Sequence, residues 1–278
     1  MSLESQPTPE ARSPEPVARA FVMRLVSLCP SNTEILFALG LGPNVVGVDD
    51  WSDWPDEVKE LPRVGGDLNA DLDRIEALRP DLVLASLSVP GMERNIEGLK
   101  ARNLPHLVLD PQSLDEVLAD FLTVGDACGV RSRAEKVVED AHRRIGAVHH
   151  RRSARRNVRI YWEWWPRPLI AAGRSSWVHQ MSRIVGARNV FADVERPSRV
   201  VTDAEVIERD PEVLMICWCG TLQDLQETSR VSSRPGWDRV AGVVTGRIHC
   251  VPEALFGRPS QRLLEGLELL EGLVAQAE

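Results

Sequence analysis

RLVSLCPSNTEILFALGLGPNVVGVD, residues 24–49, decides the fold. A short apolar run, RLVSL (24–28), leads into a helical period, NTEILFALGLG (32–42), that ends on glycine, and a second apolar run, VVGVD (45–49), follows. Strand-length apolar runs alternating with helix-length periods make a βαβ unit, whose strands pair in parallel. Working outward, DLDRIEALRP (71–80) reads as a helix stopped by Pro80, DLVLA (81–85) as a strand, 91–102 as a helix and HLVLD (106–110) as a strand. These make a parallel-sheet lobe over residues 23–111.

From Ser113 to Ser153 the apolar spacing is helical, with a break at Cys128-Gly129-Val130, and no strand intervenes. Some forty residues is too long for an ordinary crossover, so 112–156 is expected to be a backbone helix joining two lobes. Its basic end, HHRRSARR (149–156), reads as a solvated helix terminus that complements the helix dipole, and not as a metal site at His149 and His150. The α/β pattern restarts over 157–278 with NVRIYW (157–162), a helix over 176–185, another near 202–209, EVLMICW (212–218), RIHCV (247–251) and a closing helix from about Pro259. The fold class is therefore α/β, with two parallel-sheet lobes of similar design. Residues 1–22, acidic and proline-rich, are expected to be a disordered leader.

Composition removes several function classes. The chain has 278 residues and a net charge of -8, which disfavours nucleic acid and anionic membrane surfaces as partners. No run of about 18 apolar residues is present, so no membrane insertion is expected. Residues 1–22 lack the basic start and apolar stretch of a secretory signal, so a cytoplasmic protein is one expectation and a periplasmic one, its leader removed, the other. Five cysteines without CxxC spacing imply neither a disulfide framework nor a zinc site. A monomer is expected.

In parallel sheets ligands bind beyond the carboxyl ends of the strands, and four loops there stand out. CPSNTE (29–34) offers Ser31 or Asn32 as a helix cap with Glu34 as its capping-box partner, and Cys29 as a thiol at a helix start. DDWSDWP (49–55) and YWEWWPRP (161–168) together hold five of the eight tryptophans. Pro166 and Pro168 forbid a regular ladder, so Trp164 and Trp165 are expected on a loop, where flat, stiff side chains suit a large planar ligand. Packing of the loops onto the core is the alternative. CWCGT (217–221) adds Trp218 and two thiols one residue apart, too close for good zinc or disulfide geometry. No Walker, GxGxxG, GxSxG or HExxH motif occurs. No catalytic residue, metal or cofactor is expected; a thiol site of Cys29 with the CWC pair is the enzyme alternative.

Residues 24–55 followed by LDRIEALRPDLVLA (72–85) closely resemble the cobalamin-binding members of the substrate-binding proteins that serve metal-chelate ABC importers. The second lobe continues the resemblance more loosely through SRIVGARNVFAD (182–193), VTDAEVIERDPEVLMI (201–216) and GRPSQRLLEGLELL (257–270), so that it covers residues 24–275. It implies two Rossmann-like lobes bridged by one long helix, a periplasmic binding protein of the helical-backbone type without enzyme activity. It also implies a corrinoid in the groove. Trp51 and Trp164 match aromatic positions of that groove, whereas Asp67 and Ser86 stand where the cobalamin protein carries tryptophans; Trp165 and Trp218 are the candidate replacements. The expected ligand-facing set is Cys29, Ser31, Trp51, Asp67, Trp164, Trp165, Arg167, Trp218 and Phe256. Docking to an ABC permease is implied to use one acid per lobe, here Asp73 and, beside Ala204 at the matching position, Glu205. An iron-siderophore, with Arg167 and Arg174 as its cations, and heme, with Tyr161 as its iron ligand, are the alternative cargoes.

Overall fold

Leu25–Ser27 forms β1, and the chain then runs through α1 (Pro30–Ala38), β2 (Val45–Val48) and a small hairpin of β3 (Gly65–Gly66) and β4 (Asn69–Ala70). α2 (Leu72–Ala77), β5 (Leu82–Ser86), α3 (Glu93–Ala101) and β6 (His106–Leu109) complete the first lobe. This is a computed structural model, and it describes residues 23–152, 157–220 and 227–277; the expected leader, 1–22, lies outside the described residues. The four long strands pair in parallel in the order β2-β1-β5-β6. Successive side chains point to opposite faces, and both faces are covered. Leu25, Val48 and Leu84 pack with Ile35, Leu36 and Leu39 of α1 on one side, and Val26, Val83 and Ala85 with Ile75 and Leu99 on the other. That two-sided burial is why these strands read as unbroken apolar runs.

The cap expected at Ser31 or Asn32 is not used. Cys29 is the N-cap, with φ -159 and ψ 158 and no side-chain cap bond, and Pro30 begins the helix. Proline's fixed φ is ready-made for a first helical position, so the helix starts earlier and Glu34 falls in its second turn, facing inward.

The linking segment is divided into two helices at the break at Cys128-Gly129-Val130. α4 (Leu114–Ala127), capped by Ser113, ends at Cys128, and α5 (Arg131–Arg152) turns back along it. Gly129 makes the turn at φ +68, and a Cβ on Gly125 would stand 2.7 Å from that of Ala134, so the two helices touch where glycine permits. α5, with 22 residues, spans about 33 Å and is the long backbone of the molecule. At its start Arg133 donates to the carbonyls of Leu39 and Gly40 of the first lobe, both at 3.2 Å. Farther along, Arg144 and Arg151 pair with Glu268 and Glu271 of the second.

The second lobe comprises β7 (Val158–Pro166), β8 (Leu169–Ala172), α6 (Trp177–Ile184), β9 (Ala187–Asn189), β10 (Ser198–Val200) and α7 (Asp203–Arg209). β11 (Val213–Ile216), α8 (Thr228–Ser232), α9 (Ala241–Val244), β12 (Ile248–Cys250), α10 (Glu253–Phe256) and α11 (Leu263–Ala275) follow. β9, β7, β11 and β12 keep the parallel pattern, while β8 and β10 add antiparallel strands. The expectation of a loop at 164–168 is corrected here. β7 continues through Trp164 and Trp165 to Pro166, which pairs with Leu169 to close a hairpin. A proline at the last strand position withholds no amide the ladder needs, and the register shift between Glu163 and Trp165 takes up the irregularity. No helix among the described residues is long and apolar enough to cross a membrane.

Candidate ligand cleft between the lobes

The strand ends of both lobes meet at one seam. From the first lobe come the turn after β2, which carries Asp49, Trp51, Asp53 and Trp54, and the β3–β4 hairpin with Asp67. From the second come Trp164 and Trp165 at the end of β7, Cys219 and Gly220 after β11, and the α10–α11 segment with Glu253 and Arg258. The amide of Cys219 donates to the Trp164 carbonyl at 3.3 Å, and Gly220 donates its amide to Glu253.

Trp51 is the most open of the large apolar side chains in this cleft, 62% exposed, yet it is held from both ends. Its backbone N–H donates to Asp49 Oδ2 at 2.8 Å and its indole N–H to the Asp67 carboxylate. Arg63 secures the turn by donating to the carbonyls of Asp49 (2.8 Å) and Ser52 (2.7 Å). An exposed indole on an anchored turn is a pre-ordered contact surface. Across the seam Trp165 is 38% exposed with its indole N–H on the Arg167 carbonyl at 3.0 Å. Half-buried Trp164 stacks on Trp162 and tilts against Trp177, with both centroid separations 6.4 Å.

Carboxylates surround these indoles. Burial pushes Asp49 up to about 6, with the nearby Asp67 adding to the rise and hydrogen bonds from Ser52 and Trp51 opposing it. Burial likewise raises Asp67, and it raises Glu253, which also feels Asp53 and Asp67 across the seam. Two cations of the region are engaged: Arg258 bonds Asp53 and Glu34, and Arg262 reaches Glu34 and lies 5.2 Å over the ring of Trp54.

Several expected residues stand elsewhere. Phe256 is fully buried and packs on Trp162 at 5.3 Å, giving no surface to a ligand. Trp218 is buried too, because β11 ends at Ile216 and turns the indole inward to donate to Glu163 Oε1 at 2.9 Å. Glu163 itself is 0% exposed; it takes both guanidinium nitrogens of Arg234 at 2.7 Å and the Tyr161 hydroxyl at 3.1 Å. Tyr161 is therefore a core residue whose phenol burial raises well above its usual range. Cys29 and Ser31 lie buried beneath the cleft, Sγ to Oγ 3.3 Å, and burial pushes the Cys29 thiol up to about 12. Burial raises Cys217 and Cys219 as well. Ser86 is buried, with its hydroxyl on Ser88 at 2.9 Å. Arg167 sits on the exposed β7–β8 turn, whereas Arg174 pairs with Glu195 and lines a pocket of about 490 Å³ where α4 meets α6.

Of the expected docking acids, Asp73 projects from the first turn of α2 and pairs with Arg102 at 2.5 Å. Glu205 closes the capping box of α7 with Thr202 and pairs with Arg199. Sequence reasoning missed Asp53, Glu253, Arg258 and Arg262. Asp53 lay within DDWSDWP (49–55) without being singled out, and the two arginines stood in GRPSQR (257–262) ahead of the closing helix.

Residues 25–255 match the family model described as periplasmic binding protein. The chain belongs to the periplasmic binding protein family. Among curated periplasmic binding protein relatives, the uncharacterized ABC transporter substrate-binding lipoprotein YvrC of Bacillus subtilis is 30% identical, over 89% of this chain and 78% of its own. The vitamin B12-binding protein of Pectobacterium carotovorum is also 30% identical, over 72% of each chain. Among solved structures, the periplasmic heme-binding protein RhuT of Roseiflexus superposes with a TM-score of 0.78 at 26% identity, over 92% of this chain and 98% of its own. The two lobes and the long helix are thus those of a substrate-binding protein of the ABC importer type, and the family's named cargoes include vitamin B12 and heme.

Proposed function

We propose that this periplasmic binding protein captures a corrinoid such as cobalamin and holds it, unchanged, between Trp51 of the first lobe and Trp164 and Trp165 of the second. An ABC permease receives the cargo, docking against the Asp73 and Glu205 faces. Capture takes place outside the cytoplasmic membrane, a point that protease accessibility in spheroplasts checks.

The observation that carries the choice of cargo is the charge around the indoles. Asp67 and Glu253, both half-buried, are hydrogen-bond acceptors, while Arg258 and Arg262 are already engaged by Asp53 and Glu34. A corrin ring carries amide N–H groups around its rim, for which carboxylates are acceptors. Heme propionates and anionic siderophores call instead for free convergent guanidiniums. Tyr161, the chain's single tyrosine, has its hydroxyl on Glu163 in the core and so does not serve a heme iron. The vitamin B12-binding relative points the same way.

Titration with cyanocobalamin, followed by calorimetry and tryptophan quenching, tests the reading. Saturable heat and quenching at one ligand per chain are expected. Their absence up to tens of micromolar cobalamin refutes it.

A further inference from the structure

The segment between α10 and α11 does more than connect two helices. Arg258, whose side chain is 12% exposed, leaves the second lobe and enters the first. It donates to Asp53 Oδ1 at 2.5 Å and to Glu34 Oε1 at 3.3 Å, and it stays within 4.0 Å of Glu253 of its own lobe. Two residues on, the Ser260 hydroxyl donates to the other oxygen of Glu34, and Arg262 adds a bond to Glu34 at 3.4 Å. Glu34 is 0% exposed, so the first lobe presents a buried carboxylate whose partners among the described residues, Arg258, Ser260 and Arg262, come from one segment of the second. A buried carboxylate is tolerated only while such partners stay in place.

Asp53, the other end of this bridge, sits between Trp51 and Trp54 on the turn that carries the exposed indole. Arg262 lies over the Trp54 ring. The second lobe thus grips the turn by a guanidinium fork at its centre and a stacked cation beside it.

We infer that Arg258 is the positioning residue of the cleft, a latch that sets the spacing of the lobes and the pose of the Trp51 turn by bridging Asp53 and Glu34. The ligand consequence rests on the corrinoid reading above; the latch itself does not. Without the guanidinium, Asp53 and Glu253 face each other across the seam with no cation between them, and the lobes separate. Lysine is a poor substitute because one ammonium does not reproduce the fork.

The test compares full-length wild type, Arg258→Gln, Arg258→Lys and Asp53→Asn. Asp53 has a side chain 61% exposed, so its substitution leaves a folded chain even where Arg258→Gln does not. Small-angle scattering and acrylamide quenching of tryptophan, both on ligand-free protein, report lobe spacing and turn pose. Expected are a larger radius of gyration and greater quenching for Arg258→Gln, a smaller change of the same sign for Asp53→Asn, and little recovery in Arg258→Lys. Cyanocobalamin affinity is expected to fall about tenfold or more in Arg258→Gln, and a double variant with Asp53→Asn to lose no more than Arg258→Gln alone. Wild-type scattering and quenching in folded Asp53→Asn or Arg258→Gln overturn the latch. Failure of the wild type to bind cyanocobalamin overturns the corrinoid reading and leaves the scattering result to decide the latch.

Discussion

Trp51→Ala separates affinity from stability. An indole offers up to about 250 Å² of surface, and 62% of Trp51 is open, so about 150 Å² is available to a ligand. Cover over half of that area, at about 25 cal/mol per Å², is worth about 2 kcal/mol, or roughly thirtyfold in affinity. Folding stability moves little in comparison, by about 0.5 kcal/mol, because the folded chain buries little of this side chain. Trp218→Ala should show the reverse, a loss of about 3–5 kcal/mol of stability from a cavity at a buried indole that also anchors Glu163. Isothermal calorimetry with cyanocobalamin and thermal unfolding of the same samples read both quantities. Undiminished affinity in folded Trp51→Ala refutes the placement of the ligand on this indole.

Arg234→Ala strands the Glu163 carboxylate, which has no exposed surface, at a cost of about 3–5 kcal/mol; calorimetric unfolding should drop by about 10 °C, and a drop under about 3 °C contradicts the buried pair. Asp49 titrates near 6 in the folded chain, above its ordinary 3.8, so folding favours its protonated form. Its contribution, about 2–3 kcal/mol, is present in full below about pH 4 and is lost as pH rises through 6; Asp49→Asn should flatten the pH dependence of stability across that window, and an unchanged slope would count against the burial argument. Iodoacetamide at about pH 8 should spare Cys29 and Cys217 in the native protein and label all five cysteines in denaturant, as mass spectrometry of the peptides will show. Native labelling of Cys29 contradicts its burial.

The first lobe was legible because parallel strands covered on both faces write their burial directly as apolar runs, from Leu25–Ser27 to His106–Leu109. The α4–α5 division was legible in Cys128-Gly129-Val130, since a helix reversal needs a residue such as Gly129 at positive φ. Less could be seen at YWEWWPRP, where the prolines suggested a loop but mark the last strand position and the hairpin turn. Trp218 and Phe256 resemble Trp51 in composition but not in burial, because burial depends on where β11 stops and how α10 folds back. The Glu34–Arg258 bridge joins residues 224 positions apart, and no local pattern announces it. Glu34 was visible only as a capping partner, a role that Pro30 takes away by starting the helix earlier.

Competition between the family's two cargo types addresses the central claim. The protein is mixed with equimolar cyanocobalamin and hemin, passed over a gel-filtration column, and the visible spectrum of the protein peak is recorded. Cobalamin bands at one equivalent per chain, without a Soret band, are the predicted result. A Soret band in their place contradicts the corrinoid cleft.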